Sequence, residues 1–478
     1  TIEAGVEVRF LKVSDDQSSG QDVNRSELRI SGGSLIAEGT VSDSIVFVSN
    51  AESPDENDWY GFYCAYNVGV IRLRYVSFRH ASYVISSGSS MNSIQFYGNQ
   101  SDSLRITNSF FRDIGSNIFN VYFYSNNGAR MIIKNNKFSD FSTFLYGATV
   151  YANGLLDIDG NEFIGNHGSL SGENWRANDA GSKIRFTNNQ SSYNSYINFY
   201  ASGANATEYQ VIIEGNQLSS NYSSAIYLYG QDATQGRFLM KDNILDTMRV
   251  HIDNAAKVLI QGNTIRRLQS DMYGACISIS NSHAVVENNT IQDHRGSGIE
   301  IYASFDYQAV KDTIRNNTIT GNNTYNYDYR GGIVISGYGN PVIWTNDIYD
   351  NSYYDIRNNS TVNDIDARFN WWGTTTTATM DAGSNPKDIS KIYDYYDDNT
   401  LGTVNYAGWL SEAGGDPPAT TMLGAVLLTN SSGTEQLNFA ADSTLYIKVT
   451  DSDRNTNSGT AETITVSASS ETETTAET

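Results

Sequence analysis

The sequence predicts an all-β protein, a parallel solenoid of about 26 residues per turn with a smaller β module behind it. Three observations carry that prediction. The first is composition: 40 glycines against five prolines, with asparagine and serine throughout, mean many turns and few helices. The second is a column of asparagines, Asn108, Asn136, Asn161, Asn189, Asn216, Asn243, Asn263, Asn289, Asn317, Asn346 and Asn370, spaced 20 to 29 residues apart. The third is the apolar register around them. Two places after the asparagine stand Phe110, Phe138, Phe163, Leu218, Leu245, Ile265, Ile291, Ile319, Ile348 and Trp372, with Ser191 the one polar member. Three places before it, Ile133 to Ile343 are all apolar, and only Arg105 and Ala367 at the ends break the column.

A period in the mid-twenties with short apolar runs and no helical periodicity is one solenoid turn, able to hold three short strands and three bends. Turns stack about 4.8 Å apart, so like side chains pile up: apolar columns fill the interior and the asparagines form a ladder. Eleven asparagines make ten steps, a ladder of about 48 Å. Each asparagine is also expected to supply the left-handed backbone of a bend. Cys64 and Cys276, both in apolar runs and about eight turns apart, are expected as separate buried thiols.

The second strand of each turn alternates over residues 121–124, 197–200, 226–229, 250–253, 277–280, 299–302 and 333–336, with the first and third residues inward. Its outward positions make a patch whose candidate ligand-binding residues are Tyr122, Tyr124, Tyr200, Tyr227, Tyr229, His251 and Tyr302. Tyrosine rings on a rigid sheet offer sugars an apolar face and a hydroxyl, although stacked tyrosines also favour a β surface for its own sake. Asp253 and Glu300, two turns apart in that patch, are separated by about 10 Å, near the upper end for an inverting glycosidase, and are the alternative catalytic pair. Two residues before the asparagines, Lys241 beside Glu214 and Arg315 beside Glu287 read as ordinary cross-strand charge pairs. The five histidines are scattered, and no Ser/His/Asp, Cys/His or phosphate-loop pattern appears.

Residues 413–418 read as a linker, and from 419 to 478 the pattern changes to alternating strands at 437–439, 445–449 and 463–466. Asp451, Asp453, Asn455, Asn457 and Glu462 have the alternating oxygen spacing of a calcium loop. Thr456 stands where a helix-loop-helix site needs glycine and the flanks are strands, which leaves a calcium-bound hairpin or an acidic turn without metal.

Several stretches carry a family likeness. Thr1-Ile2-Glu3-Ala4-Gly5-Val6, Gly33-Ser34-Leu35-Ile36-Ala37-Glu38-Gly39-Thr40, Trp59-Tyr60-Gly61-Phe62, the repeated Asn-Asn-Thr-Ile at 288–291 and 316–319, and Phe369-Asn370-Trp371-Trp372-Gly373 resemble right-handed parallel β-helix proteins of the carbohydrate-binding and sugar-hydrolase group. The resemblance covers residues 1–412 and implies a right-handed parallel β-helix, with Trp371, Trp372 and Trp409 helping to cap its C-terminal end. It does not choose a function, because that group includes lyases, hydrolases and non-catalytic surface proteins. Residues 419–478 resemble the immunoglobulin-like repeats of large microbial surface proteins. They are too few for a complete sandwich of about 100 residues, so either the polypeptide continues or a neighbour's strand completes the sheet.

Charge narrows the partners. With 31 basic against 53 acidic residues the net charge is −22, which repels nucleic acid and anionic membrane surfaces. No run approaches the roughly 20 apolar residues of a membrane span. The chain opens on a strand-like run without methionine, as expected of a mature chain whose export signal has been removed. The expected function is that of a secreted or cell-surface structural or adhesive protein. It would associate with sister subunits in a fibre or surface layer, or bind extracellular glycans through the tyrosine-rich face. The alternative is a secreted polysaccharide lyase or glycoside hydrolase.

Overall fold

The computed structural model describes residues 1–65, 68–88, 93–97, 103–164, 170, 172–192, 194–232, 234–266, 274–305, 311–417, 425–434, 444 and 446–450. They divide into two compact units, Thr1–Gly414 and Gly415–Thr478. The first is a parallel β-solenoid. One face is a 14-stranded parallel sheet that begins at Leu35–Glu38, continues through Arg130–Lys134 and Val211–Glu214, and ends at Val404–Asn405. In its register Ile106, Ile133, Ile158, Phe186, Ile213, Met240 and Ile260 lie directly over one another, and all are fully buried.

The second face consists of short strands such as Lys137–Ser139, Thr264–Arg266 and Thr318–Thr320. The third carries longer ones, including Phe119–Asn126, Tyr196–Ala201 and Ile299–Ala303. The two faces join into one 26-stranded sheet because Gln217–Gly230 and Ile244–Asp253 run through the bend between them.

A buried ladder of ten asparagines, Asn136 to Asn370, lines the bend between the first and second faces. The Nδ2 of Asn136, Asn161, Asn189, Asn216 and Asn243 donates to Oδ1 of the next asparagine at 2.8–3.1 Å. The same contact continues from Asn263 to Asn370 at 2.9–3.0 Å. From Asn161 onward each Oδ1 also accepts the preceding asparagine's backbone N–H, and each Nδ2 reaches a main-chain carbonyl one turn back. Buried amides cost nothing in unpaired polar groups when every turn answers the next in this way.

Two expectations need correction. Asn108 is not on the ladder: Thr107 pairs with Lys134, so Ser109 stands opposite Asn136 and donates its N–H to that side chain at 3.0 Å. The same shift puts Phe111, not Phe110, over Phe138, and replaces Arg105 by the buried Ile106. Nor do ladder asparagines take the left-handed backbone. The residue before each does, at Asn135 (φ 55), Gly160 (φ 66), Asn188 (φ 54), Asp242 (φ 53) and Asn288 (φ 56) among others, which is why that column is mostly Asn, Asp and Gly, with Thr345 and Phe369 the exceptions at its C-terminal end. A second, short ladder escaped the sequence reading: Asn322 donates to Asn351 at 3.0 Å, and Asn351 to Asp355 at 2.9 Å.

The expected surface charge pairs form, Lys241 with Glu214 at 3.4 Å and Arg315 with Glu287 at 2.6 Å. Cys64 and Cys276 are free and buried. Toward the C-terminal end Trp372 is buried, and a short helix follows at Gly373–Asp381, docked through buried Met380 and a hydrogen bond from Trp409 Nε1 to Asp381. In the second unit Ala425–Thr429 pairs antiparallel with Tyr446–Thr450. The strands expected at 437–439 and 463–466 lie outside the described residues.

Candidate functional site

The third face aligns the outward residues as the alternation predicts, with two turns that the sequence reading did not place. The outer column runs Tyr124, Thr149, Arg176, Tyr200, Tyr229, Asp253, Ser280, Tyr302, Ser336. Beside it run Tyr122, Gly147, Asn174, Asn198, Tyr227, His251, Ser278, Glu300 and Val334. The strands Leu145–Val150 and Glu173–Ala177 therefore separate Tyr122 and Tyr124 from the other candidates.

Tyr122 and Tyr124 make contacts of their own, apart from the other candidates. The ring of Tyr122 lies across Gly147, where a Cβ would stand 2.1 Å from Cε2, and its hydroxyl bonds that of Thr149 at 2.8 Å. An aromatic ring laid over a glycine fills the gap that the missing side chain leaves on a sheet. Tyr124 stacks on Tyr151 at 6.2 Å.

Arg176, Tyr200, Tyr229, Tyr227 and His251 form one continuous stack. The Arg176 guanidinium lies 3.9 Å from the Tyr200 ring centroid. Tyr200 stacks on Tyr229 at 5.0 Å, and Tyr229 on Tyr227 at 5.5 Å with rings 3° from parallel. His251 meets Tyr227 edge-on at 5.4 Å, and Arg249 donates to the Tyr227 hydroxyl at 3.3 Å. Burial first, then the neighbouring Tyr227, Tyr200 and Asp253, pushes the Tyr229 hydroxyl up to about 12. Burial also lowers the His251 pKa, against the opposing pull of Asp253. Both groups are therefore neutral hydrogen-bonding groups at neutral pH.

The stack changes what this face offers. Turns one strand spacing apart bring the aromatic rings within stacking distance, so the faces of Tyr200 are covered by Arg176 and Tyr229. What remains outward is ring edges, hydroxyls and the guanidinium. Beside them lies a groove of about 470 Å³, lined by Arg176, Asn178, Tyr200, Ser202, Tyr229 and Gln235 among others. Its floor requires glycine at Gly203 (φ 111), where a Cβ would stand 2.5 Å from the Ala180 nitrogen.

The remaining candidates are dispersed. Tyr302 is 48% exposed and sits two turns beyond the stack. Asp253 follows Tyr229 in the outer column, whereas Glu300 is in the adjacent one, bound to Arg330 at 3.0 Å and to the Ser297 hydroxyl at 2.8 Å. The calcium candidates Asp451, Asp453, Asn455, Asn457 and Glu462 lie outside the described residues. Among the described residues no group of three or more His, Cys, Asp or Glu could hold a metal, and no helix is long and apolar enough to cross a membrane.

A second aromatic cluster was missed. Tyr325, Tyr327 and Tyr329 stack at 5.4 and 5.2 Å, with Arg295 3.9 Å from the Tyr325 ring. Its signal was present as tyrosines at every other position of residues 325–329, in a stretch without the apolar alternation that marks the strands.

Comparison with known proteins agrees with the fold. The family described as "Right handed beta helix region" matches residues 249–370. Among solved structures, the receptor-binding domain of the siphovirus 9NA tailspike is 10% identical, with 89% of this chain and 80% of that chain covered and a TM-score of 0.23. A likeness that low carries no argument about fold or function, and the agreement rests on the family match alone. Among curated proteins none matches. The parallel solenoid and the family match together make the first unit a right-handed parallel β-helix.

Proposed function

We propose that this is a secreted or cell-surface adhesive protein that binds extracellular glycans in the groove beside Arg176, Tyr200 and Tyr229. The observation that carries the proposal is the groove itself: hydroxyls, side-chain amides and one guanidinium converge on a concave site held by a rigid sheet. Few polar groups placed around a preformed cleft are what orients a small polar ligand, and preorganisation spares the entropy of fixing them. Sugars here meet ring edges and hydroxyls, since the stacked faces are occupied. The second unit, as an immunoglobulin-like module with calcium at Asp451, Asp453, Asn455, Asn457 and Glu462, would serve attachment or contact with sister subunits.

A glycan array probed with the full chain tests this. The expected result is selective retention, weakened about fivefold by Tyr229→Phe, which removes one hydroxyl and keeps the stack, and abolished by Gln231→Trp at the rim. Retention unaffected by both variants would overturn the site. Release of shortened or unsaturated oligosaccharides in the same incubations would instead favour a hydrolase or lyase using Asp253 and Glu300.

A further inference from the structure

We infer that the groove selects sugars that bear a carboxylate, and that Arg176 is the residue that pairs with it; this rests on the glycan-binding reading above. Among the described residues Arg176 is the one charged side chain lining the groove, in a chain with 53 acidic residues against 31 basic. Several arginines of the solenoid are answered by carboxylates, Arg266 by Asp246 at 2.5 Å, Arg315 by Glu287 at 2.6 Å, Arg330 by Glu300 at 3.0 Å and Arg368 by Asp366 at 2.8 Å; others, such as Arg29 over Tyr63 and Arg357 over Tyr393, lie on aromatic rings as Arg176 does, but do not line this groove. Arg176 is exposed and, among the described residues, has the Tyr200 ring as its partner and neither an ion pair nor a hydrogen bond.

Stacking fixes a guanidinium through its face and leaves its in-plane N–H groups available, which is the geometry that takes a carboxylate with two parallel hydrogen bonds. The acidic side chains nearest the rim are turned to other work. Asp179 accepts the backbone N–H groups of Gly181 at 3.1 Å, Ser182 at 3.0 Å and Ala152. Asp232 accepts from Thr234 N–H at 2.8 Å and from Gln235 Nε2 at 3.0 Å. Asp253 lies on the far side of Tyr229 from Arg176. The positive charge therefore stands locally unanswered although the whole molecule is strongly negative. Long-range repulsion from the net charge of −22 disfavours long polyanions, but at physiological salt it is screened beyond about 8 Å, so short acidic oligosaccharides are the expected ligands.

The test is an array of matched glycans, each present with and without its carboxylate (sialylated and desialylated, glucuronate and glucose), read with the 478-residue chain and with its Arg176→Gln variant at physiological salt. Acidic members are expected to bind at least about tenfold tighter than their neutral partners, with Arg176→Gln costing the acidic members at least about tenfold more than the neutral ones. Equal binding of the pairs, or a preference that survives Arg176→Gln, would overturn the inference and leave glycan binding standing. Retention of no glycan of either kind would overturn both. Circular dichroism confirms that the variant, altered at an exposed position, folds.

Discussion

Replacing Asn216 with alanine tests the ladder where it is deepest. Asn216 is fully buried; its Oδ1 accepts Asn189 N–H at 2.9 Å and Asn189 Nδ2 at 3.1 Å, while its Nδ2 donates to the Phe186 carbonyl and to Asn243 Oδ1, both at 2.8 Å. Alanine leaves the Asn189 N–H without its acceptor and deprives the other groups of one bond each. Asn189 Nδ2 keeps the Ile158 carbonyl, and Asn243 Oδ1 keeps the residue 216 N–H. One orphaned buried N–H, the weakened neighbours and the small cavity together cost about 3–4 kcal/mol. Asn108→Ala is the control. That residue sits at a bend with φ 53, outside the ladder, and should cost about 1 kcal/mol through its left-handed backbone alone. Urea midpoints of the full chain compare the two variants, provided their slopes agree, since a solenoid can unfold by parts. Amide exchange at Asn189 should accelerate in Asn216→Ala. Equal losses in the two variants, or a loss below about 1 kcal/mol for Asn216→Ala, would refute the reasoning.

Three other outcomes are expected. Gly147→Ala drives a Cβ into the Tyr122 ring, so it should lower the unfolding midpoint, and Tyr122→Ala should recover part of the loss; additive effects in the double-mutant cycle would contradict the packing of the ring over Gly147. Asp355 is fully buried with Oδ2 lacking a hydrogen-bond partner, and burial pushes its pKa up to about 7. A folded pKa above the unfolded value of about 3.9 means that the folded state holds the extra proton between the two, so stability at this site falls as pH rises from about 4 to 7. Asp355→Asn should be neutral near pH 4 and stabilising at pH 8, and identical pH profiles for parent and variant would count against it. Burial lifts the Cys64 thiol to about 12 and raises that of Cys276 as well, so a thiol reagent at pH 8 should label neither until denaturant is added; rapid labelling of the native chain would disprove their placement.

Most of the solenoid was legible because neighbours in space are one turn apart in sequence, so each column repeats at nearly constant spacing. Ile213, Asn216 and Leu218 recur in kind at Ile260, Asn263 and Ile265. Register failed at Asn108 because asparagine serves two adjacent columns for different reasons, hydrogen bonding within the ladder and a left-handed backbone before it. The doublets Asn135–Asn136 and Asn288–Asn289 show both roles side by side. Arg176 stayed hidden because Leu145–Val150 and Glu173–Ala177 lack a clean apolar alternation: Gly147 yields its space to Tyr122, and Glu173 is buried. The mutual covering of the tyrosine rings depends on side-chain rotamers, which no column of letters records. The helix Gly373–Asp381 is mostly threonine, without an apolar stripe to announce it.

The claim that the third face is a glycan-binding surface is tested most directly by hydrogen–deuterium exchange of the full chain with and without glycans retained on the array. Protection confined to residues 174–178, 198–203 and 227–235 is the result the proposed function predicts. Protection on the 14-stranded face, or at the 325–329 tyrosines with none around Arg176, would contradict it.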